Sequence, residues 1–262
     1  MDFELNEKVA LVAASSTGLG KAVAIGLAEE GANIIICSRD SDKLKLVYQE
    51  IQKMNGRCLA IPTDLTNYSQ VKNLVSKSIK HFGKIDILVT NCGGPPSGGF
   101  LDFSIEDWNL AIDLNLMSTI YLCKEVIPYM VNQNLGRIIM ITSVSVKQPI
   151  EGLILSNVAR AGVAGLAKSL SNEFGKNNIL VNIVCPGYTQ TQRVNQLALD
   201  LSAEQGLKPE EMIQKWAKLN VLGRIATPEE FANVVVFLAS ERASHLTGTA
   251  IQIDGGLVKS LL

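Results

Sequence analysis

The chain has 262 residues, 47% of them hydrophobic and 19% charged, with a formal net charge of −1. That length and apolar content suit one α/β domain with one substantial core, and a near-neutral chain without a Lys/Arg run lacks the electrostatic grip on phosphates that a nucleic-acid binder needs. No apolar run reaches spanning length, and the opening Met1-Asp2-Phe3-Glu4-Leu5-Asn6-Glu7 is acidic where a secretory signal would be basic and then apolar, so the expectation is a cytoplasmic protein with no membrane partner.

In chain order, Val9-Ala10-Leu11-Val12 reads as a first strand, followed by a helical period over 20–29 and a second strand at Ile34-Ile35-Ile36. A helix over 43–53, a strand at Leu59-Ala60-Ile61, a helix over 68–80 and a strand over 85–89 continue the alternation. It runs on through a long helix over 106–132, a strand over 137–141, a helix over 158–173 and a strand over 180–184. Residues 189–226 break the beat with two modest helical patterns, 194–201 and 209–219. A helix over 228–240 and a strand over 250–253 close the chain. Thr227-Pro228-Glu229-Glu230 sets a cap, an N1 proline and two acids at a helix start, which suits the helix dipole. Seven strands with helices between them imply a doubly wound, all-parallel sheet with helices on both faces, in a single domain spanning 1–262. The 189–226 excursion, which follows a strand end, is the expected substrate lid.

The five cysteines, Cys37, Cys58, Cys92, Cys123 and Cys185, have no CxxC spacing and read as buried thiols. His81 and His245 read as surface side chains, so no metal site is expected.

After the first strand, Ala13-Ala14-Ser15-Ser16-Thr17-Gly18-Leu19-Gly20 opens a helix, and glycines are wanted there because the backbone must approach a pyrophosphate to which helix N-terminal amides point. Thr63-Asp64-Leu65, Thr90-Asn91-Cys92-Gly93, Pro186-Gly187-Tyr188-Thr189-Gln190-Thr191, Gly223-Arg224, Thr247-Gly248 and Asp254-Gly255-Gly256 complete the pattern. From Lys8 to Gly256 the chain resembles the short-chain dehydrogenase/reductase family, in particular its 3-oxoacyl-acyl-carrier-protein reductase branch, and the resemblance implies a Rossmann fold. It also implies that Ala14, Ser16, Thr17, Gly18, Leu19 and Gly20 hold the dinucleotide. Asp64 and Leu65 would lie at the adenine, Asn91, Cys92 and Gly93 beside the cofactor, and Pro186, Gly187, Thr189 and Thr191 toward the nicotinamide. Ala13 and Ala14 replace the family's opening Thr-Gly. A methyl group at position 14 then bears on the turn's dihedral or on how closely a phosphate approaches, and alanine is at ease at negative φ. Ser38-Arg39 ends the second strand where an NAD-preferring relative would carry an acid. A guanidinium there can hold a 2′-phosphate bidentately, so NADP(H) is expected over NAD, the alternative being a solvated strand-end cation.

The resemblance assigns catalysis to a serine, a tyrosine, a lysine and an asparagine. Asn115 and Ser143 match, but at the family's spacing from Ser143 stand Ser156 and Arg160, and the tyrosines, Tyr48, Tyr68, Tyr121, Tyr129 and Tyr188, all lie outside that interval. A phenol begins near a pKa of about 10 and can be tuned into the working range. A serine hydroxyl is far less acidic and shorter, and arginine keeps its proton. Ser156 and Arg160 still share a helical face, and Arg160 keeps the charge and donors to hydrogen-bond a cofactor ribose as the family's lysine does. Three readings follow. The first is an NADP(H)-dependent oxidoreductase acting on a carbonyl or hydroxyl substrate, small or acyl-thioester, with its proton from Lys147, Tyr188 or a water held by Ser143 and Ser156. The second is a catalytically silent nucleotide-binding regulator or scaffold. The third is a non-redox lyase or isomerase. Lys147 could equally be a solvated loop cation, and Tyr188 could equally pack the lid. Apolar excess on the two long helices, together with the assembly of relatives, implies a homo-oligomer, expected as a tetramer.

Overall fold

A computed structural model describes residues 2–54 and 56–261, the side chains of Ala203 and Glu204 excepted. Seven parallel strands, β1 (Val9–Val12), β2 (Asn33–Ser38), β3 (Cys58–Pro62), β4 (Ile87–Thr90), β5 (Gly136–Ile141), β6 (Ile179–Pro186) and β7 (Ala250–Ile253), form one sheet in the order β3-β2-β1-β4-β5-β6-β7. The reason is visible in the strands themselves. β1, β2, β4, β5 and β6 are buried at every position, and because side chains alternate across a strand, such runs need apolar cover on both faces.

Two core clusters supply that cover. Ala10, Val12, Ile34, Ile36, Val89, Ile139 and Val184 point to one face, against α1 (Gly18–Glu29), α2 (Ser41–Lys53) and α9 (Pro228–Ala239). Val9, Leu11, Ile35, Cys37, Leu88, Ile138 and Ile183 point to the other, against α3 (Tyr68–Phe82), α5 (Ser118–Gln133) and α6 (Ile154–Phe174). Each fully buried aliphatic side chain contributes about 1.5–3 kcal/mol, which makes the central strands the most resistant part of the molecule. Cys37, Cys58, Cys123 and Cys185 are buried free thiols and Cys92 is half-buried. No helix of the described residues is long and apolar enough to cross a membrane.

The long helix expected over 106–132 is instead three pieces: α4 (Ile105–Ile112), a π-helical turn at Asp113–Met117, and α5. Side-chain bonds to the backbone accompany the change. Asn115 donates to the Ala111 carbonyl at 3.1 Å, Ser118 to Leu114 at 2.6 Å and Thr119 to Asn115 at 2.9 Å, and such bonds loosen the regular ladder.

The excursion between β6 and α9 forms α7 (Gln192–Gln205) and α8 (Pro209–Leu219), longer at its first helix than the expected 194–201. They close on a third apolar cluster of Leu153, Leu197, Ala198, Met212, Trp216, Ala217 and Ile225. The excursion is pinned where it leaves and returns. Gln190 donates to the Ala226 carbonyl at 2.8 Å, and Ala226 donates to the Tyr188 carbonyl at 3.1 Å.

α9 then starts at a reciprocal cap. Thr227 Oγ1 accepts from the Glu230 amide, and Glu230 Oε2 accepts from the Thr227 amide at 2.9 Å, while Arg224 reaches both Glu230 oxygens at 2.8 and 2.6 Å. The Arg224 hydrogen bonds, then the Thr227 amide, hold the Glu230 carboxyl at about 2. A depressed folded-state pKa means that the cap's electrostatic contribution is complete above the ordinary carboxylate range and lost as pH falls through about 2. An NMR titration should therefore find Glu230 ionised until close to that pH, and Arg224→Ala should move its midpoint up toward the ordinary range. An unmoved midpoint would remove the guanidinium as the cause.

Candidate active site

The strand order reverses at β1, which pairs with β2 on one side and β4 on the other. The connections leaving those strands diverge and open a crevice at their C-terminal ends, the place where open α/β sheets bind ligands. The protein has a cleft of about 660 Å³ there, within the roughly 300–1,000 Å³ of small-molecule and cofactor sites.

Its floor is the β1–α1 turn. Ser15 is fully buried; its hydroxyl donates to the Val12 carbonyl at 2.8 Å and accepts from the Cys37 amide at 3.1 Å, tying the turn to β2. Ala14 is thereby forced to φ 46°, in the left-handed region. This corrects the expectation of negative φ: the turn must send the chain up while Ser15 is pulled back to two strands, and the Ala14 methyl group accepts a strain of about 1–2 kcal/mol. The Ala14 carbonyl accepts from Asn91 Nδ2 at 3.3 Å, joining the β1 and β4 loops. Gly20 does not line the cleft. It sits behind the turn, where a Cβ would lie 2.4 Å from the Ala14 oxygen and 2.9 Å from Asn91 Nδ2. Glycine is required there by close approach of backbone. α1 starts at Gly18 with no side-chain cap on its first amides.

The other residues singled out for a nucleotide, Ser16, Thr17, Gly18, Leu19, Ser38, Arg39, Asp64, Leu65, Asn91, Cys92, Gly93, Pro186, Gly187, Thr189 and Thr191, all line the cleft with Ala14. Arg39 is exposed off the end of β2. Burial raises the pKa of nearby Asp64, but hydrogen bonds from the Thr66 hydroxyl and amide, at 2.8 and 3.0 Å, and the charge of Arg39 outweigh it and leave the carboxyl below its ordinary value. Thr189 is buried, and its hydroxyl has no partner among the described residues.

Ser143, Ser156 and Arg160 converge on the same cleft. Ser143 leaves β5 and its Oγ accepts from the Ser145 amide at 3.1 Å, which leaves its hydroxyl proton unassigned. One turn apart on α6, Arg160 Nε donates to Ser156 Oγ at 3.0 Å, and Arg160 Nη1 donates to the Thr142 carbonyl at 3.0 Å. Asn115 is buried outside the lining. The π turn aims it at Cys92, whose thiol donates to Asn115 Oδ1 at 3.2 Å. Burial raises the Cys92 pKa against the opposing charge of Arg160. Lys147 and Tyr188 do not line the cleft. The Tyr188 ring stacks on Trp216 at 4.3 Å and 5°, and burial pushes its pKa up.

Sequence reasoning passed over Arg193, Gly94, Leu153, Val194 and Leu197, which also line the cleft. For Arg193 a signal existed: a cation in the first turn of a helix opposes the dipole, so something other than helix stability placed it there.

Comparison with known proteins agrees with this architecture. A family model described as enoyl-(acyl carrier protein) reductase matches residues 13–258. The oxidoreductase UcpA of Salmonella typhimurium is 36% identical over 97% of this chain and 95% of its own length. The 3-oxoacyl-[acyl-carrier-protein] reductase FabG of Thermotoga maritima is 33% identical over 97% and 99%. Among solved structures, L-sorbose reductase from Gluconobacter frateurii, complexed with NADPH and L-sorbose, superposes with a TM-score of 0.94 at 33% identity, over all of both chains. With a family model matched over residues 13–258 and relatives above 30% identity over nearly the whole chain, the chain belongs to the short-chain dehydrogenase/reductase family.

Proposed function

We propose that this protein is an NADP(H)-dependent oxidoreductase that interconverts a carbonyl and a hydroxyl group, with Ser156 and Arg160 standing in for the tyrosine and lysine of its family. The observation that carries the reading is the convergence of Ser143, Ser156 and Arg160 on the cleft opened by the β1–α1 turn. The cleft fits a dinucleotide. The first amides of α1 carry no side-chain cap, and the buried hydroxyl of Thr189, without a partner among the described residues, awaits a polar one. Arg39, exposed off the end of β2 on the cleft, supports NADP(H) with a fork that would hold a 2′-phosphate. Residues 189–226 are read as a substrate lid, with Tyr188 stacked on Trp216 as part of its packing rather than as an acid.

When bound, NADPH would supply the hydride for the carbonyl carbon. The chain's own residues orient and charge-stabilise the oxygen. The Ser143 and Ser156 hydroxyls donate to it, and Arg160, held by Thr142, polarises Ser156 through Nε. A guanidinium does not release its proton, so the net proton at the oxygen comes from water held between the two serines, passed on through a serine hydroxyl that the same water reprotonates, with hydroxide leaving to solvent, while the fixed charge stabilises the developing alkoxide. The relatives' names divide between a 3-oxoacyl-thioester and a sugar ketone. A 3-oxoacyl thioester remains the finer reading by branch.

Fluorescence titration should show NADPH binding more tightly than NADH, and Arg39→Asp should remove about tenfold of that preference. Failure of both nucleotides to bind would overturn the oxidoreductase reading in favour of another use of the fold. General-acid help is worth about 10²–10⁴ in rate, so the Ser156→Tyr/Arg160→Lys double variant should raise NADPH-dependent ketone reduction by about tenfold or more. An unchanged rate would refute the role given to the pair. Exposed apolar side chains on α4, α5 and α6, Ile105, Leu110, Tyr129 and Val158, favour assembly into a homotetramer through those helices. Light scattering that returned a monomer at micromolar concentration would contradict it.

A further inference from the structure

Resting on the reading that this cleft takes a carbonyl substrate, we propose that the substrate carries a free carboxylate, in place of the thioester that the branch resemblance suggests, held by the guanidinium fork of Arg193 with Arg160 as a second cation. The charges lining the cleft are sorted by side. Its carboxylates, Asp40 and Asp64, stand off the ends of β2 and β3, on one side of β1. Across β4, where Ser143 and Ser156 lie, the lining holds Arg160 and Arg193 and, among the described residues, no carboxylate. Among the described residues neither arginine has an ion pair.

Arg193 is costly where it stands. It occupies the first turn of α7, the positive end of that helix, and it is half-buried. Burial first, and the charge of Arg160 second, lower its pKa, opposed by Asp200 two turns further along α7, itself bonded to Gln196 at 2.8 Å. A guanidinium offers five donors. One is engaged, Nη2 to the Pro95 carbonyl at 2.7 Å, across the mouth from the β4 loop. Gly94 leaves the room the fork needs: a Cβ there would lie 2.7 Å from Nε and 2.8 Å from Nη2. A planar anion between the two cations would relieve their repulsion, complement the positive end of the α7 dipole and take up free donors. Arg160 already spends two donors on Ser156 and Thr142, so one available fork matches a monoanionic carboxylate. Leu153, Val194 and Leu197 give the carbon skeleton an apolar wall.

Calorimetry with levulinate and methyl levulinate, which share a ketone and differ in charge, tests the proposal on the full chain with and without NADPH. Levulinate should bind about tenfold or more tightly than the ester, and Arg193→Gln should reduce that preference to about twofold with NADPH affinity unchanged. Equal affinity for acid and ester, or no levulinate binding up to about 10 mM, would overturn it. So would an unchanged preference in Arg193→Gln. An equal loss for acid and ester would mark Arg193 as a latch to Pro95, and a loss of NADPH affinity instead would assign it to cofactor phosphates. Should the glutamine variant unfold, Arg193→Lys serves: a several-fold loss of preference supports the fork, and an intact preference opposes it. A carboxylate preference in a protein that never oxidises NADPH would keep this site while refuting the redox reading, and ketone reduction without the preference would do the reverse.

Discussion

Burial of the central strands on both faces is the constraint from which the rest of the molecule follows. Runs such as Val9–Val12 and Asn33–Ser38 present apolar side chains alternately up and down, so neither face can be left to water. Helices must cover both, and covering both requires the chain to wind outward from β1 through β2 and β3 and then return to β4 on the opposite side. The crevice at the β1/β4 boundary is the geometric consequence. A site forms there because two connections leave in opposite directions, before any functional side chain is considered.

Within the crevice, local discomfort is concentrated at the ligand-facing positions. Ala14 sits at positive φ because Ser15 is bound to two strands at once, and α4 passes into α5 through a π turn that carries Asn115 to Cys92. The Thr189 hydroxyl is buried without a partner among the described residues. Each departs from the local optimum by an amount that the cores on either side of the sheet absorb, a pattern typical of sites rather than of scaffolds.

Electrostatics then divide the cleft. Arg39 and Lys43 lie with Asp40 and Asp64 toward β2 and β3, where charges of both signs meet solvent, whereas Arg160 and Arg193 line the side of Ser143 and Ser156, with no acid among the described residues there. Burying two cations together costs several kcal/mol unless something answers them. Arg160 is answered in part by Ser156 and the Thr142 carbonyl. Its bond to Ser156 also shows how a serine and an arginine at helical spacing form one hydrogen-bonded unit.

The sequence by itself determined the strand count, the parallel winding and the β1–α1 turn, because periodicity and glycine placement are local properties of the chain, and the motifs that resemble the family supplied more than half of the residues that line the cleft. It also carried the Thr227–Glu230 cap intact. Only the tertiary structure decided the rest. The left-handed Ala14 depends on bonds from Ser15 to a neighbouring strand, and the π turn at Asp113–Met117 breaks a period that reads as one continuous helix. Gly20 proved a packing glycine behind the turn, which spacing cannot distinguish from a lining one. Tyr188 was free to be an acid until Trp216 came to stack on it, and Arg193 looked like any helix-start cation until folding set it across from Arg160. These outcomes turn on contacts between residues far apart in the chain, which no local pattern encodes.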